Sequence, residues 1–282
     1  QTHPAGAEAE VDFADLWIVW AGVKTKVFLF TLRLSYSGKA IHRAYATASQ
    51  EAFLDGHRYA FEQLGGIPTV HIRYDNLKAA VSRVLTGRTR VESDRWVLFR
   101  SHYGFDVFYC RPGVEGAHEK GGVEGEGGRF RRTHTVPMPK VDTLAELNAY
   151  LARCDAKDDH RRVGQRTSTV GDDFATEQVL LRPLPVEPFE TGLSLRPRVD
   201  RHSRLTVRQC QYSVPVRYVG RQLRVLLRAT SVLIFDGPRL VAEHERATER
   251  GSVTLVLDHY LEVLAYKPGA LPGATALVQA RK

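Results

Sequence analysis

The sequence predicts an α/β fold in two parts: a mixed five-stranded sheet with helices on both faces, followed by a small all-β barrel. Three observations carry this. The first half opens with three apolar runs separated by Gly-containing turns and then alternates strand-like with helix-like segments. Residues 183–198 break that pattern with prolines and no period. Beyond them come five short strand-like runs with turns at Gly220 and at "DGP", the rhythm of a small barrel.

In order, "EVDFADLWIVW" from Glu10, "KVFLFTLRL" and "YSGKAIHRAYA" are rich in β-branched and aromatic residues and predict a three-stranded meander. Residues 50–64 repeat Phe53, Leu54, His57, Phe61 and Leu64 at helical spacing and stop at two glycines, as a helix does. Then follow a fourth strand at "IPTVHIRY", helices at "NLKAAVSRVL" and "DRWVLFRSHYG", and a fifth strand at "FDVFYC". "AHEKGGVEGEGGRFRR" predicts a helix weakened by its glycines, each by up to about 1 kcal/mol against Ala. This order, three antiparallel strands and then alternation, is that of a ribonuclease-H-like domain, in which the first and fourth strands lie side by side.

Residues 142–155 predict an amphipathic helix with Leu144, Leu147 and Leu151 on one face and Asp142 as N-cap, packed on the first domain. "AKDDHRR" after it reads as a solvated charge run. The expected boundaries are a catalytic-type domain over 8–160, a helical segment with a proline-rich linker over 161–198, an SH3-like barrel over 199–265 and a tail over 266–282. Pro215 in "YSVPVRY" belongs on an edge or a bulge.

With 282 residues, 43% of them hydrophobic, the chain can bury one good core and a second smaller one. Its formal charge of +8 favours an anionic partner, with nucleic acid first among candidates. Cys110, Cys154 and Cys210 form no CxxC pair, so neither a disulfide framework nor a zinc knuckle is indicated, and a reducing cytoplasm fits. No stretch approaches the length of a membrane span, and the start lacks the order of a signal peptide. The chain begins without Met and reads as a piece of something longer.

Asp12 sits in the interior of the first strand, where a buried unpaired charge costs several kcal/mol, so it requires a cation, a metal or an open cleft. Asp75 ends the fourth strand; it either faces a site beyond the strand terminus or, with Asn76, caps the following helix. Neighbouring first and fourth strands would bring the two aspartates together, and paired carboxylates suit Mg²⁺ or Mn²⁺. Glu119, Glu124 and Glu126 offer a third acid, with Glu124 best placed beside Lys120 and Arg131.

Basic residues near these acids, Lys120, Arg129, Arg131 and Arg132, either hold a DNA strand or stabilise a helix end. The barrel carries Arg204, Arg208, Arg217, Arg221, Arg224, Arg228 and Arg239; Arg208, Arg217, Arg221 and Arg224 are its candidate phosphate contacts, against an ordinary solvated face. His71 and His118 read as structural or backbone-contacting, and Trp17, Trp20 and Trp96 as core aromatics.

Taken together, "EVDFADLW", "FLFTLRLSYSGKA", "IRYDNLK", "RSHYGF", "AHEKGGVEG" and "QYSVPVRY" resemble IstA-type transposases of the insertion-sequence-21 family, within the DDE transposase and retroviral integrase superfamily. The resemblance spans essentially the whole chain. It implies that Asp12, Asp75 and Glu124 match the DDE triad, with Asp12 bridging two Mg²⁺ ions and the other two acids ligating one each. It further implies water attack at a transposon end, attack of the freed 3′-hydroxyl on target DNA, assembly of several chains on double-stranded DNA, and an IstB-type AAA+ ATPase helper. A nucleoid-associated place in a bacterial cytoplasm follows from the same resemblance. The stretch between Asp75 and Glu124 is longer than in retroviral integrases, the extra residues falling at "TGRTRVESDRW". Rival readings are a catalytically silent DNA-binding or assembly module, and a ribonuclease acting on hybrid duplexes, which the arginine-rich barrel disfavours.

Overall fold

The computed structural model describes residues 3–74, 81–84, 90–110, 121–266 and 273–281, and the chain divides into two compact units, Gln1–Glu190 and Thr191–Lys282. In the first, β1 (Glu8–Trp20), β2 (Val23–Leu34) and β3 (Ala40–Tyr45) form the antiparallel meander expected from their β-branched and aromatic content. Helix α1 (Gln50–Leu64) starts at Ser49, whose hydroxyl accepts from the Ala52 N–H, and ends at Gly65 with φ 72°. After it, β4 (His71–Tyr74) returns parallel to β1, and β7 (Asp106–Tyr109) lies parallel to β4.

The sheet order is therefore β3-β2-β1-β4-β7, with the first and fourth strands adjacent as the sequence order requires. A short sixth strand, β8 (Lys140–Val141), adds to the far end of β1. Helix α2 (Asp94–Tyr103), capped by Ser93, precedes β7. Helices α3 (Gly121–His134) and α4 (Leu144–Asp158) follow it, and α5 (Val170–Gln178) comes before the second unit.

Three local expectations are corrected. Val81–Val84, expected as helix, is strand β5, paired antiparallel with β6 (Arg90–Glu92); the β-branched valines at 81, 84 and 91 favour the extended form. Helix α4 is capped by Thr143 rather than Asp142, because the Thr143 hydroxyl reaches the Glu146 N–H. The charge run after it is solvated only in part: Lys157, His160 and Arg162 are exposed, but Asp159 holds Lys39 at 2.6 Å, and Asp158 and Arg161 join partners described below.

Alternation along β1 gives the sheet two different faces. On one, Val11, Phe30 and Tyr74 meet Phe53, His57 and Phe61 of α1 and Trp96 and Phe99 of α2. His57 is fully buried there; its Nδ1–H donates to the Phe53 carbonyl at 2.8 Å, and its Nε2 accepts from the Tyr74 hydroxyl at 2.9 Å. On the other face, Leu16, Ile18, Val27, Leu29 and Ala44 pack against Phe130 of α3 and Leu147, Leu151 and Cys154 of α4. Helix α4 also covers the β3 edge, where Asp155 accepts from the His42 N–H at 2.8 Å and Asn148 from the Ala44 N–H at 2.7 Å.

In the second unit, β9 (Leu193–Leu195), β12 (Arg224–Leu227), β13 (Ser231–Asp236) and β14 (Arg239–Glu245) form one antiparallel sheet. A second sheet holds β10 (Arg204–Val207), β11 (Cys210–Ser213) and β15 (Val253–Thr254). Both sheets share one core containing Leu205, Tyr212, Val214, Val225, Val232 and Ile234. Pro215 stands outside the strands, immediately before a single 3₁₀ turn at Val216–Tyr218, which suits a residue with no N–H to give to a ladder. Strand β9 grows out of the proline-rich stretch, and the helical part of residues 161–198 belongs to the first unit, where the fully buried Glu177 accepts the Gly6 and Ser37 N–H groups at 3.0 and 3.1 Å. Two short helices close the chain, α6 (Leu261–Tyr266) and α7 (Thr275–Ala280). No helix among the described residues is long and apolar enough to cross a membrane.

Two consequences can be measured. A Cβ on Gly56 would meet the Phe30 ring at 2.6 Å, so Gly56→Ala should lower stability by about 1–3 kcal/mol, read as a fall in the urea midpoint. Burial lowers the His57 pKa from 6.5 to about 3, so between those values the unfolded chain binds a proton that the folded chain does not. Stability should therefore fall as pH drops from about 6.5 toward about 3, by up to about 1.4 kcal/mol per pH unit from this group, and His57→Gln should flatten that part of the stability-against-pH curve.

Candidate functional site

The site is built on the strand β1, whose period of two puts Glu8, Glu10 and Asp12 on one face. These carboxylates occupy different surroundings. Glu8 is held by Arg73 of β4 at 2.6 Å and by His3 at 2.8 Å. Glu10 is 4% exposed; Arg33 stands opposite it on β2, Arg73 lies 3.9 Å away, and the Val123 N–H donates to its Oε2 at 2.7 Å. Asp12 is half-buried one alternation further along, opposite Thr31.

The Val123 bond fixes the start of α3. The first N–H groups of a helix have no partner within it and carry partial positive charge, so a buried carboxylate satisfies donor and charge together. Closeness follows from Gly122, where a Cβ would lie 2.7 Å from Arg33 Nη1 and 2.8 Å from Glu10 Oε2. Helix α3 then turns Val123, Glu126, Phe130 and His134, spaced three and four apart, into the sheet.

Further along α3, Glu126 binds Arg129 and Arg161, the latter at 2.7 Å, while Asp158 of α4 binds Arg129 and, at 2.9 Å, His134. Burial alone would raise the Asp158 carboxyl, but hydrogen bonds from Arg129 and His134 hold it below its ordinary value. Phe130 stacks on His42 of β3 with ring centroids 3.6 Å apart, and Asp155 accepts from His42 Nδ1 at 2.6 Å.

Against the sequence expectations, the placement is as follows. Asp12 is on the face that α3 covers, and Glu124 is in α3, the next residue after the one that bonds Glu10. Asp75, Asn76, His118, Glu119 and Lys120 lie outside the described residues. Val11 opposite Tyr74 is the last described pair of β1 and β4, and in the sequence each of these two residues is followed by an aspartate, Asp12 and Asp75. Arg129 is ion-paired within the fold, Arg131 donates to the Asp15 and Gly127 carbonyls, and Arg132 is exposed.

In the second unit Arg217 pairs with Glu262, Arg221 lies 3.5 Å from Asp236, Arg224 stacks over Phe235 at 4.2 Å, and Arg208 is exposed. Trp96 is buried and Trp20 half-buried as expected, but Trp17 is 48% exposed, because no described element covers that part of β1. Sequence reading passed over Glu10, Arg33 and Arg73; the alternation Glu8, Glu10, Asp12 was the signal that could have found them.

Comparison with known proteins gives the family of the chain. Residues 184–256 match the family model for the Mu transposase C-terminal domain. A transposase of Aminobacter aminovorans is 31% identical over 97% of this chain and 54% of its own length. The transposase for insertion sequences IS1326/IS1353 of Pseudomonas aeruginosa is 32% identical over 94% of this chain and 53% of its own. This chain is related, over nearly its whole length, to insertion-sequence transposases. Among them is the transposase for IS21 of Pseudomonas aeruginosa, 28% identical over 88% of the chain and 63% of that protein, so the resemblance read from the motifs holds. The chain spans about half the length of the first two of these relatives. A solved structure of the HTLV-2 integrase catalytic core domain in complex with magnesium aligns at a TM-score of 0.45 and 13% identity, over 62% of this chain and 99% of that one.

The anchoring of α3 has a direct test. Glu10→Ala removes the acceptor at the helix start and leaves the buried Val123 N–H unpaired, so it should destabilise the fold by about 1–3 kcal/mol in urea unfolding. Hydrogen exchange should show the amides of 122–126 losing protection before those of α1.

Proposed function

We propose that this chain is the catalytic part of a DNA transposase that cuts the 3′ ends of a mobile element and joins them to target DNA with the help of divalent cations. The observation that supports it most is the β1–β4 register, whose last described pair, Val11 and Tyr74, is followed in the sequence by Asp12 and by Asp75, together with the fastening of the Glu124-bearing helix to the same strand through Glu10. Relatives that are transposases by name lend the reaction class.

In this reading Asp12, Asp75 and Glu124 hold two Mg²⁺ or Mn²⁺ ions. Their donors fit: carboxylate oxygens are the ligands these hard cations prefer, and Asp12 is half-buried rather than sealed in the core. Bound ions would supply Lewis-acid activation of the attacking and leaving oxygens at phosphorus. The protein's own contribution is position. Glu10 and Gly122 fix the start of α3, and the Glu126–Arg129–Asp158 pairs fix its later turns, so the carboxylate at 124 belongs to a helix held at both ends.

Arg131, Arg132 and Lys120 are placed in this proposal as contacts to the DNA backbone near the acids. Arg208, Arg217, Arg221 and Arg224 are the phosphate contacts of the second unit. Arg129 is left out of that set because two carboxylates neutralise it. Assembly of several chains on DNA and cooperation with an IstB-type ATPase rest on the likeness to the IS21 transposase.

The test is nicking of duplex DNA carrying the element's ends. We expect cleavage only with Mg²⁺ or Mn²⁺, and a loss of at least ~100-fold in rate for each of Asp12→Asn, Asp75→Asn and Glu124→Gln without loss of DNA binding. Binding without any metal-dependent nick, unchanged in Asp12→Asn, would overturn the reading and leave a DNA-binding module.

A further inference from the structure

The hairpin of β1 and β2 is longer than the helix layer over one of its faces. Helix α1 reaches as far as Phe30, Phe13 and Tyr45: Phe30 packs on Phe53 and His57, Phe13 on Phe30 and Tyr45, and Tyr45 donates to Asp55 at 2.7 Å. Strand β3 ends at Tyr45, opposite Phe28. At that level the face carries Asp15 with Phe28, and past it Trp17 with Lys26 and Val19 with Lys24. On its other side Val19 pairs with Lys140 of β8, which puts a third lysine in the same row. No described element covers these residues.

What they present is basic and aromatic. Trp17 is 48% exposed with Lys24 Nζ 5.2 Å from its ring centroid, and Lys26 Nζ sits 5.2 Å from the Phe28 ring. Lys24, Lys26 and Lys140 are exposed, and the one acid among them, Asp15, is 3.2 Å from Lys26. The back of the arm is sealed: Ile18 and Val27 are fully buried under α3 and α4, and Trp20 Nε1 donates to the Asp142 carbonyl at 3.1 Å. A rigid arm thus holds an indole among three cations on the side of the sheet away from Asp12, about 16 Å further along β1.

We propose that this face of the hairpin is a second contact surface for duplex DNA, with Lys24, Lys26 and Lys140 on phosphates and the Trp17 indole against the sugar-phosphate edge. The charge decides between occupants. Three lysines against one paired carboxylate match a polyanion, whereas a second copy of a chain with net charge +8 would bring like charge to the patch. The inference rests on the DNA-directed reading of the chain but not on its chemistry.

The experiment measures equilibrium binding of the full chain to a fluorescent duplex in EDTA across a salt series, with nicking assayed separately. Lys24→Gln, Lys26→Gln and Lys140→Gln together should weaken binding at least about tenfold at 0.1 M salt and lower the slope of log affinity against log salt by up to about 3. The urea midpoint should stay at the parent value, since all three side chains are exposed. In the unmodified chain DNA should quench tryptophan emission, and Trp17→Phe should remove most of that quench. A parent that binds and nicks DNA while slope and quench ignore all four substitutions overturns this surface and leaves the acidic site standing. Altered sedimentation of the lysine variants with unchanged DNA binding would assign the face to contacts between copies and equally overturn it. A chain that shows the patch effects but no nick refutes the catalytic reading alone.

Discussion

A single buried carboxylate governs the geometry of the candidate site. Glu10 lies in the middle of the sheet at 4% exposure, where an ionised group is tolerated only among donors and cations. It finds them in the Val123 N–H and, 3.9 Å away, the Arg73 of β4, and each of these ties a different element to β1. Because residue 122 is glycine, the helix start approaches without displacing the ends of the Arg33 and Glu10 side chains. One of the glycines that lower the helix propensity of α3 thus has a steric reason: against its intrinsic penalty of about 1 kcal/mol it leaves Glu10 room to accept from the Val123 N–H.

The remainder of α3 is held by charge and stacking rather than by apolar burial alone. Glu126, Arg129, Asp158, His134 and Arg161 form one connected set of pairs that crosses from α3 to α4 and the segment after it. Buried ion pairs add little net stability over apolar substitutes, but removing one partner leaves an uncompensated charge, so they specify position strongly. Phe130 against His42, itself gripped by Asp155, adds a contact to the third strand. A helix fastened at its first turn, its middle and its end has little freedom to slide along the sheet, as a residue required to point at a fixed place demands.

Much of this was legible in the sequence, and the omissions have physical causes. The meander, α1 and the β4–β7 alternation were readable because long apolar runs and the glycines that stop α1 act locally. Asp12 stood out because a charge inside a strand is conspicuous. Glu10 did not, since alternation gives a shared face without saying which of Glu8, Glu10 and Asp12 is sealed; that depends on α3, more than 100 residues away in the chain. Asp158, Asp159 and Arg161 looked solvated for the same reason: Lys39, Glu126 and Arg129 are partners in space, not in sequence. Val81–Val84 misled because valines three apart fit a helical face as well as a strand, and only pairing with β6 separates them. Trp17 was read as core on composition, whereas its exposure follows from where α1 stops.

The second unit carries its charge differently, and one turn shows how. Strands β10 and β11 are joined by Arg208 and Gln209, both in the left-handed region at φ 49° and 68°, where Asn-Gly would sit without strain. Non-glycine residues in that region are strained, by roughly 1 kcal/mol or more each. The hairpin tolerates this because Leu205, Val207, Cys210 and Tyr212 on its flanks are buried in the shared core. The strain leaves Arg208 exposed at the tip of a short, rigid hairpin, with its guanidinium presented to solvent. Arg217, Arg221 and Arg224, by contrast, are steadied by Glu262, Asp236 and the Phe235 ring. Of the four candidate phosphate contacts, Arg208 is therefore the one placed by backbone conformation rather than by a side-chain partner, and an anion reaching it displaces no ion pair.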